Sequence, residues 1–381
     1  MAIEKLVLAS GHVSWRARWR DDRNRQRSKS FRRKIDAERF MTALEHAKHS
    51  GAYVDPAAGR MTVEEWSTRW LGMQLHLKPK TQASYKSLLA ACVLPRWGQV
   101  QMGRITFGGV AEWVNEMQRE GRSASRVRQA YHLLTGMLHA AVKDGRLPRN
   151  PAIGVDLPRL RPVRRRYLRH EQLQALAVAC GRYRVLVLTM GYCGLRWGEV
   201  SALRVHAVDL ERGRLNITDA VAEVNGELVF GTPKSHQARW LPVPAFLLTE
   251  LTQELEVKSV DDLVFASPQR AVLRVANFRR GYFDRAARQI GVPGLVPHEL
   301  RHTAASLAIS AGGSVKSVQR LLGHASATLT LDRYGHLFPD ELDHVATRLD
   351  QAARQAGVYK TCTDADLALF SADGLETKNA V

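Results

Sequence analysis

HELRHTAASLAISAGGSVKSVQRLLGHASATLTLDRYGH, residues 298–336, carries a folding pattern and a chemical pattern at once. Leu300, Ala304, Leu307, Ala308 and Ala311 recur at helical spacing, with Pro297 placed to open the helix and Gly312-Gly313 to close it. His298 and Arg301, three apart, share a different face of that helix. Ser314 is a cap for a second helix, whose buried side is Val315, Val318, Leu321 and Leu322 and whose stop is Gly323. His324 follows in the turn, and Thr330 is expected to cap a last short helical turn that carries Tyr334.

Imidazoles, a guanidinium and a phenol gathered in this way suit a phosphodiester. Cations and donors neutralise the charge that builds on the non-bridging oxygens, and a hydroxyl attacks the phosphorus. Arginine offers a fixed fork of donors and stays charged at any working pH, which suits phosphate better than lysine does.

His298-x-x-Arg301, then Leu322-Gly323-His324, then Tyr334 resembles the C-terminal signature of the tyrosine recombinases, the phage integrase family. The connection from His324 to Tyr334 is one residue longer than in many members. Upstream, Gly194-Leu195-Arg196-Trp197-Gly198-Glu199-Val200 is similar to that family's first arginine box. The resemblance implies Arg196 as a second phosphate clamp and Glu199 as a carboxylate that orients a neighbouring donor. Gly231-Thr232-Pro233-Lys234-Ser235 is similar to the family's setting for a general acid, which implies Lys234, with His236 close by as a rival. His302, beside Arg301, is expected to be a packing or surface residue. The implied reaction is attack by Tyr334 to give a 3′-phosphotyrosyl link, with no cofactor and no metal.

A formal net charge of +19 points to a polyanionic partner, double-stranded DNA under this reading. Cys92, Cys180, Cys193 and Cys362 lie far apart and form no CxxC, so neither a zinc site nor a disulfide framework is expected. With no membrane span and no signal peptide in the pattern, a cytoplasmic protein acting at the nucleoid is expected.

Periodicity predicts a mainly α protein with small β-sheets, an α+β chain. Residues 1–58 read as a small sheet plus a helix, resembling an arm-type DNA-binding domain. There Arg16, Arg18 and Arg20 alternate with Trp15, Ala17 and Trp19, putting guanidinium groups on one strand face and aromatic rings on the other. Residues 59–154 read as all helical and resemble a core-binding domain, with Lys78, Lys80, Lys86, Arg122, Arg126 and Arg128 as phosphate contacts. Residues 155–166 are a Pro- and Arg-rich linker that includes Arg164 and Arg165. A catalytic domain over 167–356 and a polar tail over 357–381 complete the reading.

In that domain Asn225-Gly226 predicts a hairpin turn, and a strand is expected to return at Arg239. The resemblance further implies a homotetramer on DNA, helped by host or phage DNA-bending and directionality factors. A non-catalytic DNA-binding regulator of the same fold and a type IB topoisomerase are the alternatives.

Overall fold

The computed structural model describes residues 2–7, 12–20, 24–49, 58–160, 165–234, 238–338 and 342–356. Arg164, His236, Cys362 and the tail from 357, all named above, lie outside these residues. The chain forms two compact units, one of residues 1–164 with 222–229, the other of 165–221 with 230–381.

The first unit begins with an antiparallel sheet of β1 (Ala2–Val7), β2 (Val13–Arg20) and β3 (Gln26–Phe31), in that order. Alternation along β2 sends Ala17 and Trp19 into a small core with Met41 and Leu44 of α1 (Lys34–His49). The arginines take the other face, but not unpartnered: Arg18 pairs with Glu4 at 2.9 Å, and Arg20 donates to Asn24 Oδ1 at 2.9 Å.

A separate helical core follows. α2 (Val63–Gly72) starts on a capping box in which Thr62 accepts from the Glu65 N–H and Glu65 accepts from the Thr62 N–H. α3 (Pro79–Leu88) runs through a π-turn at Leu89–Val93 into α4 (Leu94–Trp97), because Pro95 has no N–H to continue the helical ladder. The freed Ala91 carbonyl accepts from Arg122 Nη1 at 3.0 Å, and Arg122 also pairs with Glu120 at 3.0 Å. Arg122 therefore braces this turn. Arg128 likewise donates to the Pro158 carbonyl at 3.3 Å, whereas Lys80 is exposed and Arg126 half-buried. α5 (Phe107–Arg119) and α6 (Ala124–Lys143), capped by Thr106 and Ser123, close this core around Trp66, Trp113 and Met137.

The second unit is built on α8 (Arg184–Cys193), a helix apolar nearly all round and so buried, as such a helix must be. α7 (His170–Ala179) packs on it, and the short α9 (Trp197–Val200) follows the Gly194 turn. β4 (Val208–Asp209), β5 (Arg214–Ile217) and a later strand, β8 (Arg239–Pro242), form one antiparallel sheet in the order β4-β5-β8. The hairpin of β6 (Ala220–Val224) and β7 (Glu227–Gly231), whose residues 222–229 belong to the first unit, is a sheet of its own. Asn225 and Gly226 at its turn both have positive φ, 51° and 87°.

α10 (Ala245–Leu255) adds Leu247 and Leu251 to the core, α11 (Val275–Phe278) adds Phe278, the π-turn Arg279–Phe283 adds Phe283, and α12 (Asp284–Gln289) adds Ala286 and Ala287. α13 (Pro297–Ser310) then packs along α8, followed by α14 (Val315–Leu322), α15 (Ala327–Tyr334) and α16 (Leu342–Gln355). The cap of α15 is Ser326, which accepts from the Leu329 N–H; Thr330, expected as the cap, lies inside the helix. Among the described residues no helix is long and apolar enough to cross a membrane.

Candidate active site

Two helix C-termini point their unused carbonyls at one place, and an arginine answers both. Gly194, left-handed at φ 66°, ends α8, and Gly323, left-handed at φ 59°, ends α14. Arg301, 2% exposed on α13, donates Nη1 to the Gly194 carbonyl at 2.6 Å and Nη2 to the Leu322 carbonyl. Burial and the neighbouring Arg196 pull its pKa down to about 9, which still leaves it charged at neutral pH.

Arg196 precedes α9 as its cap residue. Its Nη2 reaches the Gly323 carbonyl at 3.3 Å, and its Nη1 donates to Glu199 Oε1 at 2.8 Å. Glu199, 1% exposed, also receives Arg239 in two bonds, Nη1 to Oε1 at 3.1 Å and Nη2 to Oε2 at 2.7 Å. Burial alone would push this carboxyl up, but hydrogen bonding and charge from Arg239, then Arg196, outweigh it and hold the pKa at about 2. The sequence offered Arg239 only as the start of a strand. Its role needs β8 to be paired with β5, opposite Ile217, a register that no local motif announces.

His324 and Tyr334 complete the cluster. The phenol of Tyr334 is fully buried, its ring parallel to that of His324 with centroids 6.3 Å apart. His324 Nδ1 lies 2.9 Å from Oγ1 of Thr330, the buried residue that the sequence had placed at a cap. Thr330→Val keeps the shape and removes that partner. We expect stability to change by about 1 kcal/mol and DNA cleavage to slow about tenfold, the rate equivalent of roughly 1.4 kcal/mol, as read in single-turnover assays.

His302, expected as a packing or surface residue, also reaches this cluster. It is buried, and its Nδ1 lies 2.6 Å from Tyr334 Oη. Burial first, then positive neighbours, push the pKa of both His302 and His324 down to about 4, and His298, an exposed residue, is lowered by the same kinds of cause. At neutral pH these rings are neutral, so they act as hydrogen-bonding groups and not as cations. Burial raises the Tyr334 pKa against the opposing charges of Arg301, Arg333 and Arg165, so the phenol keeps its proton.

The structure thus brings Arg196, Arg301, His324 and Tyr334 together from four separate segments. His298 stands beside His302, with ring centroids 5.2 Å apart. Lys234 is exposed on the loop after β7, and among the described residues no hydrogen bond or ion pair links it to the others. Arg165 is exposed and donates to the Arg333 carbonyl at 2.6 Å, next to the nucleophile candidate. Adjoining His324 is a cleft of about 840 Å³ lined by Arg212, Arg214, Arg239, Lys316 and Arg320, with Asp209 as its carboxylate. Among the described residues no group of three or more His, Cys, Asp or Glu is placed to hold a metal ion.

Residues 166–341 match the Phage integrase family. The chain is 27% identical over 300 residues to the tyrosine recombinase XerC of Yersinia pestis, covering 76% of this chain and 93% of that protein. It is 26% identical over 334 residues to the integrase of Mycobacterium phage D29, covering 85% of this chain and 86% of that one. In fold it is similar to lambda integrase, solved as a tetramer bound to a Holliday junction, with a TM-score of 0.56 at 19% identity over 85% of this chain and 96% of that one. Residues 166–341 thus form a phage integrase family domain, of the tyrosine recombinases, and the chain is a site-specific DNA recombinase.

Proposed function

We propose that Tyr334 is the nucleophile that cuts and rejoins DNA. Its Oη attacks the scissile phosphorus, the P–O5′ bond breaks, and a 3′-phosphotyrosyl link conserves the bond energy for rejoining without ATP. Arg196 and Arg301 neutralise the non-bridging oxygens, and His298 and His324 add neutral donors. Lys234 protonates the departing O5′. The observation that carries this reading is the convergence of Arg196, Arg301, His324 and Tyr334 around the carbonyls that end α8 and α14. The test is a covalent, protease-sensitive adduct on DNA from the element's own flanks, mapped to Tyr334. The adduct should persist in excess EDTA and without nucleotide. Cleavage that EDTA abolishes and magnesium restores would reject the reading.

The likeness to lambda integrase supports a homotetramer on DNA. The likeness to the phage D29 integrase supports integration of a phage or other mobile element as the biological task; excision, action at the nucleoid and accessory DNA-bending factors belong to the same proposal. Residues 1–58 serve accessory sites in this reading, since their sheet and α1 enclose a core of their own. A chain starting at Arg60 is then expected to form the Tyr334 adduct on a core site yet lose binding to flanking sites and most integration, because attachment at two places at once is gone. Gel shifts on core and flanking fragments at matched salt check this.

A further inference from the structure

We propose that His302 is the proton acceptor for Tyr334, holding Oη through Nδ1 and taking up the phenol proton as the bond to phosphorus forms. The inference rests on the nucleophile reading above and adds a residue to it. Its basis is geometric. The Nδ1–Oη separation of 2.6 Å is short for a hydrogen bond to a hydroxyl, and both groups are buried, so no water competes for the contact. The other two imidazoles are not so placed. His324 Nδ1 is engaged by Thr330 Oγ1, and His298 meets His302 edge to face, not Oη.

To take the proton, His302 must be the tautomer with its proton on Nε2 and Nδ1 open to Oη–H, and this is the arrangement the proposal assigns to the pair. The charged and titratable groups facing His302 are His298 and Arg301 on α13, Arg165 ahead of α7, Arg333 and Tyr334 on α15, and His324 in the turn before α15. All the permanent charges among them are positive, which keeps the free imidazole neutral and therefore able to accept. The same charges stabilise the phenolate as it forms.

In cleavage Oη bonds to phosphorus, its O–H bond breaks, and the proton passes to Nδ1. The P–O5′ bond breaks with its electron pair on O5′, which takes a proton from the general acid. In rejoining, O5′ returns its proton to the general acid and bonds to phosphorus, the P–Oη bond breaks, and the departing Oη recovers its proton from His302.

The experiment measures adduct formation by the full-length protein on a nicked DNA substrate that traps the covalent product, from pH 6 to pH 9. His302→Ala removes both the hydrogen bond and the base. His302→Asn keeps an acceptor oxygen near the Nδ1 position but does not take up a proton. Each is expected to slow adduct formation on the order of 10²-fold to 10⁴-fold while DNA binding in gel shifts stays as in the wild type. The ratio of wild-type to Asn rates is expected to fall as pH rises, because a phenol that has already ionised needs no acceptor; groups common to both proteins cancel in that ratio. A constant ratio across pH, or Asn cleaving within about threefold of the wild type, overturns the proposal and leaves His302 a packing residue. Should the Ala variant fail to fold, the Asn variant still decides the question. If the wild type forms no adduct at all, the nucleophile reading itself falls, an outcome distinct from a normal wild type with unaffected His302 variants.

Discussion

Tyr334→Phe is expected to remove the covalent adduct, with a loss on the order of 10⁶-fold, the scale seen when an enzymatic nucleophile is deleted. DNA affinity should be unchanged, since the substitution takes away one oxygen and no charge. The ring is fully buried beside His324, so phenylalanine fills the same space. Phenylalanine cannot make the hydrogen bond to His302 Nδ1, which costs about 1 kcal/mol. The change should therefore be large in chemistry and small in urea unfolding. Adduct formed by the Phe variant would show that another hydroxyl attacks.

Glu199→Gln is expected to have the largest effect on stability. The carboxylate lies buried between the guanidinium groups of Arg196 and Arg239, and the amide leaves both facing each other without a counter-charge. Breaking one partner of such a buried ionic set costs roughly 3–5 kcal/mol. Cleavage should fall as well, about 10²-fold to 10³-fold, because Arg196 is aimed at the site by Glu199 and the Gly323 carbonyl.

The pH dependence separates this cause from a mere change of shape. The Glu199 pKa is depressed in the folded chain, to about 2 against an ordinary 4.5. Its contribution is thus fully present above pH 4.5 and is lost as pH falls toward 2. The gap in urea midpoint between wild type and variant should be constant near neutrality and close across that acid window. A gap that does not change with pH would mean that the amide disturbs packing and that the charge plays no part.

Much of this architecture is legible along the chain because it depends on neighbours in sequence. The Thr62–Glu65 capping box, the Ser123 and Ser314 caps, the glycines that end α8 and α14, and the Asn225-Gly226 turn each follow from backbone geometry within a few residues. The pattern His298-x-x-Arg301 with Leu322-Gly323-His324 and Tyr334 is legible for a related reason: phosphate chemistry restricts the residue types, and helical spacing fixes their order.

Local pattern failed where a side chain's partner is set by packing. Thr330 has the composition of a cap, yet its burial inside α15 makes it the partner of His324. Arg122 has the charge of a DNA contact, yet Pro95, distant along the chain, frees a carbonyl that the guanidinium fills. Arg239 and Glu199 meet only because β8 pairs with β5, and His302 and Tyr334 only because α13 and α15 fold against one another. Sequence by itself determined the helices, their ends and the kinds of group available for chemistry, since those are decided by dihedral preference and residue type. Tertiary structure alone decided which carboxylate holds which arginine and which imidazole holds the phenol, since a buried polar group takes whichever partner the packed core brings within hydrogen-bond reach.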